Sequence, residues 1–198
     1  MAGAKDRPGA GAYRQGVAHY RAGRWTEAVE RFRASIAESP STYRAFAFLG
    51  LCLMRAGDLD GAIEAYQDCL KIQPSYHKAH NNLGEAWRQK RDLDKAVRCF
   101  TEAAWLNPEE PDYQSNLALA WLDLGRPDQA AAPLRRWTTL RPKDLEAASR
   151  LAECLFNLGD LSGATEALEN FMKRCPEHAR RPELQARLKM LKRKDAGS

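Results

Sequence analysis

An all-α solenoid of stacked helical hairpins is the fold class the 198-residue sequence predicts, and three columns of residues predict it. Pro40, Pro74, Pro108, Pro142 and Pro176 recur every 34 residues. Ala28, Ala62, Ala96, Ala130 and Ala164 keep the same step, as do Gly23, Gly57, Gly125 and Gly159. Self-similarity at a fixed period of roughly 20–50 residues marks a repeat array, in which each unit buries its apolar face only by stacking on its neighbours.

Residues 1–8 are small and charged, lack the apolar stretch of a secretory signal, and are expected to be a flexible N-terminus. With the proline set as position 32, five units run 9–42, 43–76, 77–110, 111–144 and 145–178. Each opens with a helix that ends at the glycine of position 15, a residue suited to the left-handed conformation that closes helices. Position 18 holds Thr26, Asp60, Asp94, Asp128 and Ser162, all good N-cap residues for a second helix. The proline then stops that helix, because it has no N–H to continue the ladder.

Packing follows from the remaining columns. Position 8 is Gly16, Gly50, Gly84, Ala118 and Ala152, and position 20 is always alanine, so the paired helices approach closely there. Larger groups surround them: Leu49, Leu83, Leu117 and Leu151 at position 7, with Gln15 the exception, and Phe32, Tyr66, Phe100, Leu134 and Leu168 at position 24. Segment 179–198 reads as a capping helix, Arg181 to Lys194, and a basic tail. Leu184, Leu188 and Leu191 share one face of that helix and can cover the end of the array.

The pattern resembles the tetratricopeptide repeat, with its aromatic, Leu-Gly, aromatic, Ala, aromatic and Pro columns; repeat 2, with Phe46, Leu49, Gly50, Gly57, Ala62, Tyr66 and Pro74, is the nearest match. Arg91 replaces the glycine of repeat 3, and Gln114 and Pro127 stand at usually apolar positions of repeat 4, where they are expected to weaken packing.

The resemblance implies a superhelix whose concave groove is lined by the first helix of each unit and takes up a peptide segment of a partner protein. The family's groove positions fall here on Tyr13, Arg14, Val17, Tyr20, Arg44, Phe48, Leu51 and Arg55 toward the N-terminus. Lys78, Asn81, Asn82 and Arg88 lie at the centre, and Asn116 and Arg150 toward the C-terminus. Asn82 and Asn116, both at position 6, resemble part of the asparagine ladder of O-GlcNAc transferases, which holds a peptide backbone. The family's carboxylate clamp for chaperone tails is not matched, since Ala47 and Leu51 stand where its first Lys and Asn belong.

The function expected is therefore a scaffold or adaptor, with another protein or a peptide as partner. The alternatives are a dedicated secretion or assembly chaperone and a self-associating structural subunit. A monomer is favoured, and no catalysis, cofactor or metal site is expected. His77 and His80 are three apart on a helix but lack the third and fourth ligands that zinc takes. The five cysteines form no CxxC pair and read as free thiols, in keeping with a cytoplasmic protein. No apolar run approaches the roughly 20 residues of a membrane span. From Lys173 to Ser198 nine Lys/Arg face three Asp/Glu, which leaves the first 172 residues near neutrality and argues against a nucleic-acid-binding stripe.

Overall fold

The structure, a computed structural model, describes residues 8–195; all of the expected flexible N-terminus except Pro8 lies outside the described residues. Among them are eleven helices and no strand, arranged as two compact units, Met1–Leu106 and Asn107–Ser198. The first unit holds three hairpins: α1 (Ala10–Arg21) with α2 (Trp25–Glu38), α3 (Tyr43–Arg55) with α4 (Leu59–Ile72), and α5 (His77–Gln89) with α6 (Leu93–Leu106). The second holds α7 (Pro111–Asp123) with α8 (Pro127–Leu140) and α9 (Leu145–Asn157) with α10 (Leu161–Arg174), and ends in α11 (Arg181–Asp195).

Within a hairpin, three residues join the helices, and the middle one reverses the chain. It is Gly23, Gly57, Gly125 and Gly159 at φ of 72°, 86°, 69° and 81°. Arg91 occupies the same left-handed conformation at φ 65°, although its Cβ disfavours it. The N-cap stands two residues earlier than the sequence suggested. Asp58 accepts from the Gly61 N–H and Asp160 from the Gly163 N–H, at 2.9 and 2.8 Å, and Asp92 accepts from the Lys95 N–H at 3.2 Å. Helices α2, α4, α6, α8 and α10 thus begin at position 17. The position-18 carboxylates Asp60, Asp94 and Asp128 lie inside the first turn, where they favour the positive end of the helix dipole instead of capping it.

Every hairpin closes on one contact. All five position-20 alanines are fully buried, and so are the five position-24 side chains. A Cβ added to Gly16, Gly50 or Gly84 would lie 2.8, 2.8 or 2.7 Å from the ring of Phe32, Tyr66 or Phe100. The two later hairpins carry alanine at position 8, and there position 24 is leucine, not an aromatic ring. The methyl group and the smaller partner are exchanged together, which keeps the interior filled.

Two departures from the repeat pattern find uses. The buried amide of Gln114 donates to the Pro108 carbonyl at 3.3 Å, and Nε2 of His80, at the same position of its repeat, donates to the Pro74 carbonyl at 2.8 Å. Each serves an acceptor that the end of the preceding helix leaves without an intrahelical partner. Gln114 therefore satisfies a polar group where loosened packing was expected. Pro127 occupies the first turn of α8, where a missing N–H costs nothing.

In the first unit Phe32, Tyr66 and the buried side chains of α2 to α5 form one cluster. In the second, Leu134, Trp137, Leu151, Leu168 and Phe171 form another, and Leu184, Leu188 and Leu191 of α11 cap it as expected. Lys194 adds a contact, its Nζ 4.7 Å from the centre of the Phe156 ring.

Two stability measurements check this account. Gly50→Ala is expected to lower the free energy of unfolding by about 1–2 kcal/mol, because overpacking outweighs the gain in helix propensity. Adding Tyr66→Leu, which recreates the Ala/Leu pair of the later hairpins, should cost less than the two single changes combined; additive losses would show that the contact is not limiting. Arg91→Gly should raise stability by about 1 kcal/mol in denaturant titrations, since it removes a left-handed residue that carries a Cβ. A loss of stability would mean that the arginine side chain is holding the turn.

Candidate binding surface on the first helices

In the first unit α1 touches α3 and α3 touches α5, whereas among the described residues α2, α4 and α6 do not approach one another to the same degree. The first helices of this unit therefore form one continuous face.

On that face the expected aromatic anchors are partly consumed by the fold. Phe48 stacks on Phe32, ring centres 5.4 Å apart and planes at 15°. Tyr13 and Tyr20 meet Phe48 edge-on at 5.9 and 5.5 Å, and Tyr13 also meets Phe32 at 5.8 Å. With Val17 they are half-buried and packed against the core, so only part of each ring faces solvent. Leu51 is half-buried as well. Burial pushes the Tyr13 hydroxyl above the ordinary tyrosine range, and the nearby Arg44 guanidinium partly offsets this.

Position 6 has one structural duty in this unit: it meets position 24 of the preceding hairpin. Phe48 meets Phe32 in this way, and Asn82 meets Tyr66. The Tyr66 hydroxyl is fully buried and makes no well-formed hydrogen bond; the Asn82 amide beside it is the one influence that favours the ionised form, far too weak to offset desolvation. Half-buried Asn82 therefore offers only part of its amide outward. Asn81 on the same helix is half-buried too.

The cations lie outward. Arg14, Arg44, Arg55, Lys78 and Arg88 are all exposed. Arg88 is engaged by both oxygens of Glu85 at 2.9 Å, and Arg44 lies over the Tyr43 ring, its Nε donating to the Tyr43 hydroxyl at 3.2 Å. Arg14, Arg55 and Lys78 form no ion pair among the described residues. The second unit presents half-buried Asn116 on α7 and exposed Arg150 on α9, the latter 3.5 Å from Glu146.

One feature of this face escaped the sequence reading. A cleft of about 400 Å³ opens where α1 and α3 begin, lined by Tyr13, Tyr43, Arg44 and the hydroxyl-bearing Ser39, Ser41 and Thr42. The loop residues Ser39, Ser41 and Thr42 follow no column of the repeat, so periodicity carries no sign of them. Tyr43 in turn meets Tyr76 edge-on at 5.1 Å. Burial pushes the thiols of Cys52, Cys69 and Cys99 up to about 11, so at neutral pH they are protonated, inert fillers of the helix contacts. Among the described residues no group of three or more His, Cys, Asp or Glu is placed to hold a metal ion, and no helix is long and apolar enough to cross a membrane.

A family model described as "Tetratricopeptide repeat" matches residues 13–77 and 81–144, and a second with the same description matches 122–188. No curated protein matches the sequence. Solved structures share the fold. The MamA protein superposes with a TM-score of 0.77 at 17% identity, over 87% of this chain and 94% of its own. PilF of Pseudomonas aeruginosa gives 0.72 at 22%, over 96% and 87%. YrrB, described as a repeat protein of this type with an unusual peptide-binding site, gives 0.67 at 24%, over 76% and 78%.

Phe48→Ala tests the dual placement of the aromatic cluster. It should lower the free energy of unfolding by about 2–3 kcal/mol, somewhat under the range for a fully buried Phe→Ala change. A loss below about 0.5 kcal/mol would mean that the ring is free for a ligand and not held by Phe32.

Proposed function

The chain belongs to the tetratricopeptide repeat family, whose fold is a protein–protein interaction scaffold, and from that premise we propose that the first-helix face of its first unit docks a peptide segment of a partner protein. The observation that carries this reading is the arrangement of charge around a partly open aromatic floor. Arg14, Arg55 and Lys78 stand exposed on α1, α3 and α5 and form no ion pair among the described residues, and the half-buried rings of Tyr13, Tyr20 and Phe48 lie on α1 and α3. Arginine and aromatic side chains dominate the energetics of protein interfaces, because both bring large contact area with directional polar groups.

The ligand this surface suits carries acidic residues at its ends and apolar residues between them. An acidic side chain or a terminal carboxylate fits the cleft beside Arg44, where the hydroxyls of Ser39 and Ser41 supply donors, Thr42 donating instead to Ser39. The outward part of the Asn82 amide suits a main-chain group of the same ligand. The first helices of the second unit carry fewer cations and more carboxylates, Asp112, Asp123, Glu146 and Glu153 among them, and suit a different stretch of partner.

The test is affinity capture from a lysate of the source cells with wild type and with Arg14→Glu/Arg44→Glu/Arg55→Glu, three exposed changes that leave the core intact. A protein retained by the wild type should be lost from the variant, while both keep the same helical circular dichroism and melting temperature. Retention of that protein by the variant would remove this face as the docking surface.

A further inference from the structure

A second surface lies where the last repeat meets the capping helix. A cleft of about 680 Å³ opens along helices α10 and α11, within the rough 300–1,000 Å³ range of ligand pockets. Its floor is apolar, built by Met172 of α10 and Leu188 of α11. Its rim is cationic: Lys173, Lys189 and Arg193 are exposed and make no ion pair among the described residues, and Lys192 bridges to Glu169 at 2.7 Å. Glu169 is the one carboxylate among the lining residues. The geometry points to a docking site for an acidic segment of a partner protein, one that inserts a single large apolar side chain between α10 and α11 and sets flanking Asp or Glu against the rim.

Charge identifies the occupant's sign, and the shape of α11 identifies its class. The helix carries six Lys/Arg against two Asp/Glu, so any ligand must be acidic. A membrane surface would need apolar groups that project from the cationic face. Here Leu184 and Leu191 are turned into the core, Leu188 shows only its edge to the cleft, and Met190 is the one half-exposed large apolar side chain of the helix. An amphipathic helix that binds lipid does so through its apolar face, and this one has spent that face on capping α10. A nucleic acid backbone supplies charge but nothing to fill an apolar recess. A peptide supplies both. Nor does a second copy of this chain present a suitable segment at its opposite end, since α1 contains no acidic residue. None of its lining residues belongs to the first-helix face of the first unit, so the two sites can be altered independently.

A peptide-display selection tests this. A random 12-residue library is selected on the full chain and on Lys189→Glu/Arg193→Glu, whose changes are exposed and leave the leucines of α11 in place. Sequences enriched by the wild type and lost by the variant should carry at least two acidic residues around a large apolar one. For the best of these, alanine at the apolar position should weaken binding at least tenfold, and affinity should fall as salt rises. Binding should persist in Arg44→Glu/Arg55→Glu, which separates this site from the first-helix face. The proposal is overturned if the variant loses no sequences, if the lost ones lack the acidic-and-apolar pattern, or if alanine at the anchor is harmless. It is likewise overturned if phosphatidylserine vesicles or a 20-base-pair DNA duplex bind the wild type more tightly than the peptide and displace it.

Discussion

The closest approach of the two helices in each hairpin governs the rest of the molecule. In the first three hairpins position 8 of the first helix has no room even for a methyl group, because the aromatic ring at position 24 of the second lies against it. The buried alanine at position 20 allows the same approach from the other side. Where the ring is aromatic the partner is glycine, and where it is leucine the partner is alanine, in all five hairpins. Dispersion attraction falls off within an ångström of the optimum distance, so a pair matched in this way holds the crossing more firmly than either residue alone. The position-24 side chain then becomes the floor on which the next hairpin stands, as Phe48 and Asn82 show in the first unit.

That second use gives the aromatic groups of the first-helix face a structural duty. The aromatic groups on the first-helix face hold adjacent hairpins together while exposing only part of their surface, so they cannot be altered without loosening the array. Arg14, Arg55 and Lys78 have no such duty: they are exposed and form no ion pair among the described residues. On the docking reading proposed above, an apolar floor fixed by the fold would stand apart from a charged rim that the fold does not use. The cleft between α10 and α11 repeats the same division of labour with Met172 and Leu188 beneath Lys173, Lys189 and Arg193.

Polar groups at the hairpin ends are handled locally. Asp58, Asp92 and Asp160 accept from N–H groups of the second helix, and His80 and Gln114 donate to proline carbonyls. A buried acceptor without a donor costs roughly 1–3 kcal/mol, so a polar residue at a usually apolar position can be neutral when it meets such a carbonyl. Sequence reasoning that scores Gln114 by hydrophobicity alone misses this, because its partner Pro108 is six residues away and belongs to the preceding unit.

The sequence by itself determined the number of hairpins, the turn glycines, the small residues at the helix crossing and the capping leucines of α11. These depend on residues at fixed spacing within one repeat, and a period of 34 residues exposes them. It misplaced the N-caps by two positions, since Thr26, Asp60 and Ser162 have capping side chains but the chain enters the helix before reaching them. Only the tertiary structure decided how much of each groove residue is left for a ligand. Phe48 and Asn82 look free when read along their own helices and prove to be half-covered by the hairpin before them. The cleft at the start of α1 and α3 and the one between α10 and α11 were also beyond the sequence. Both are spaces bounded by loops or by a helix outside the repeat, and a periodic pattern holds no information about where its own period breaks.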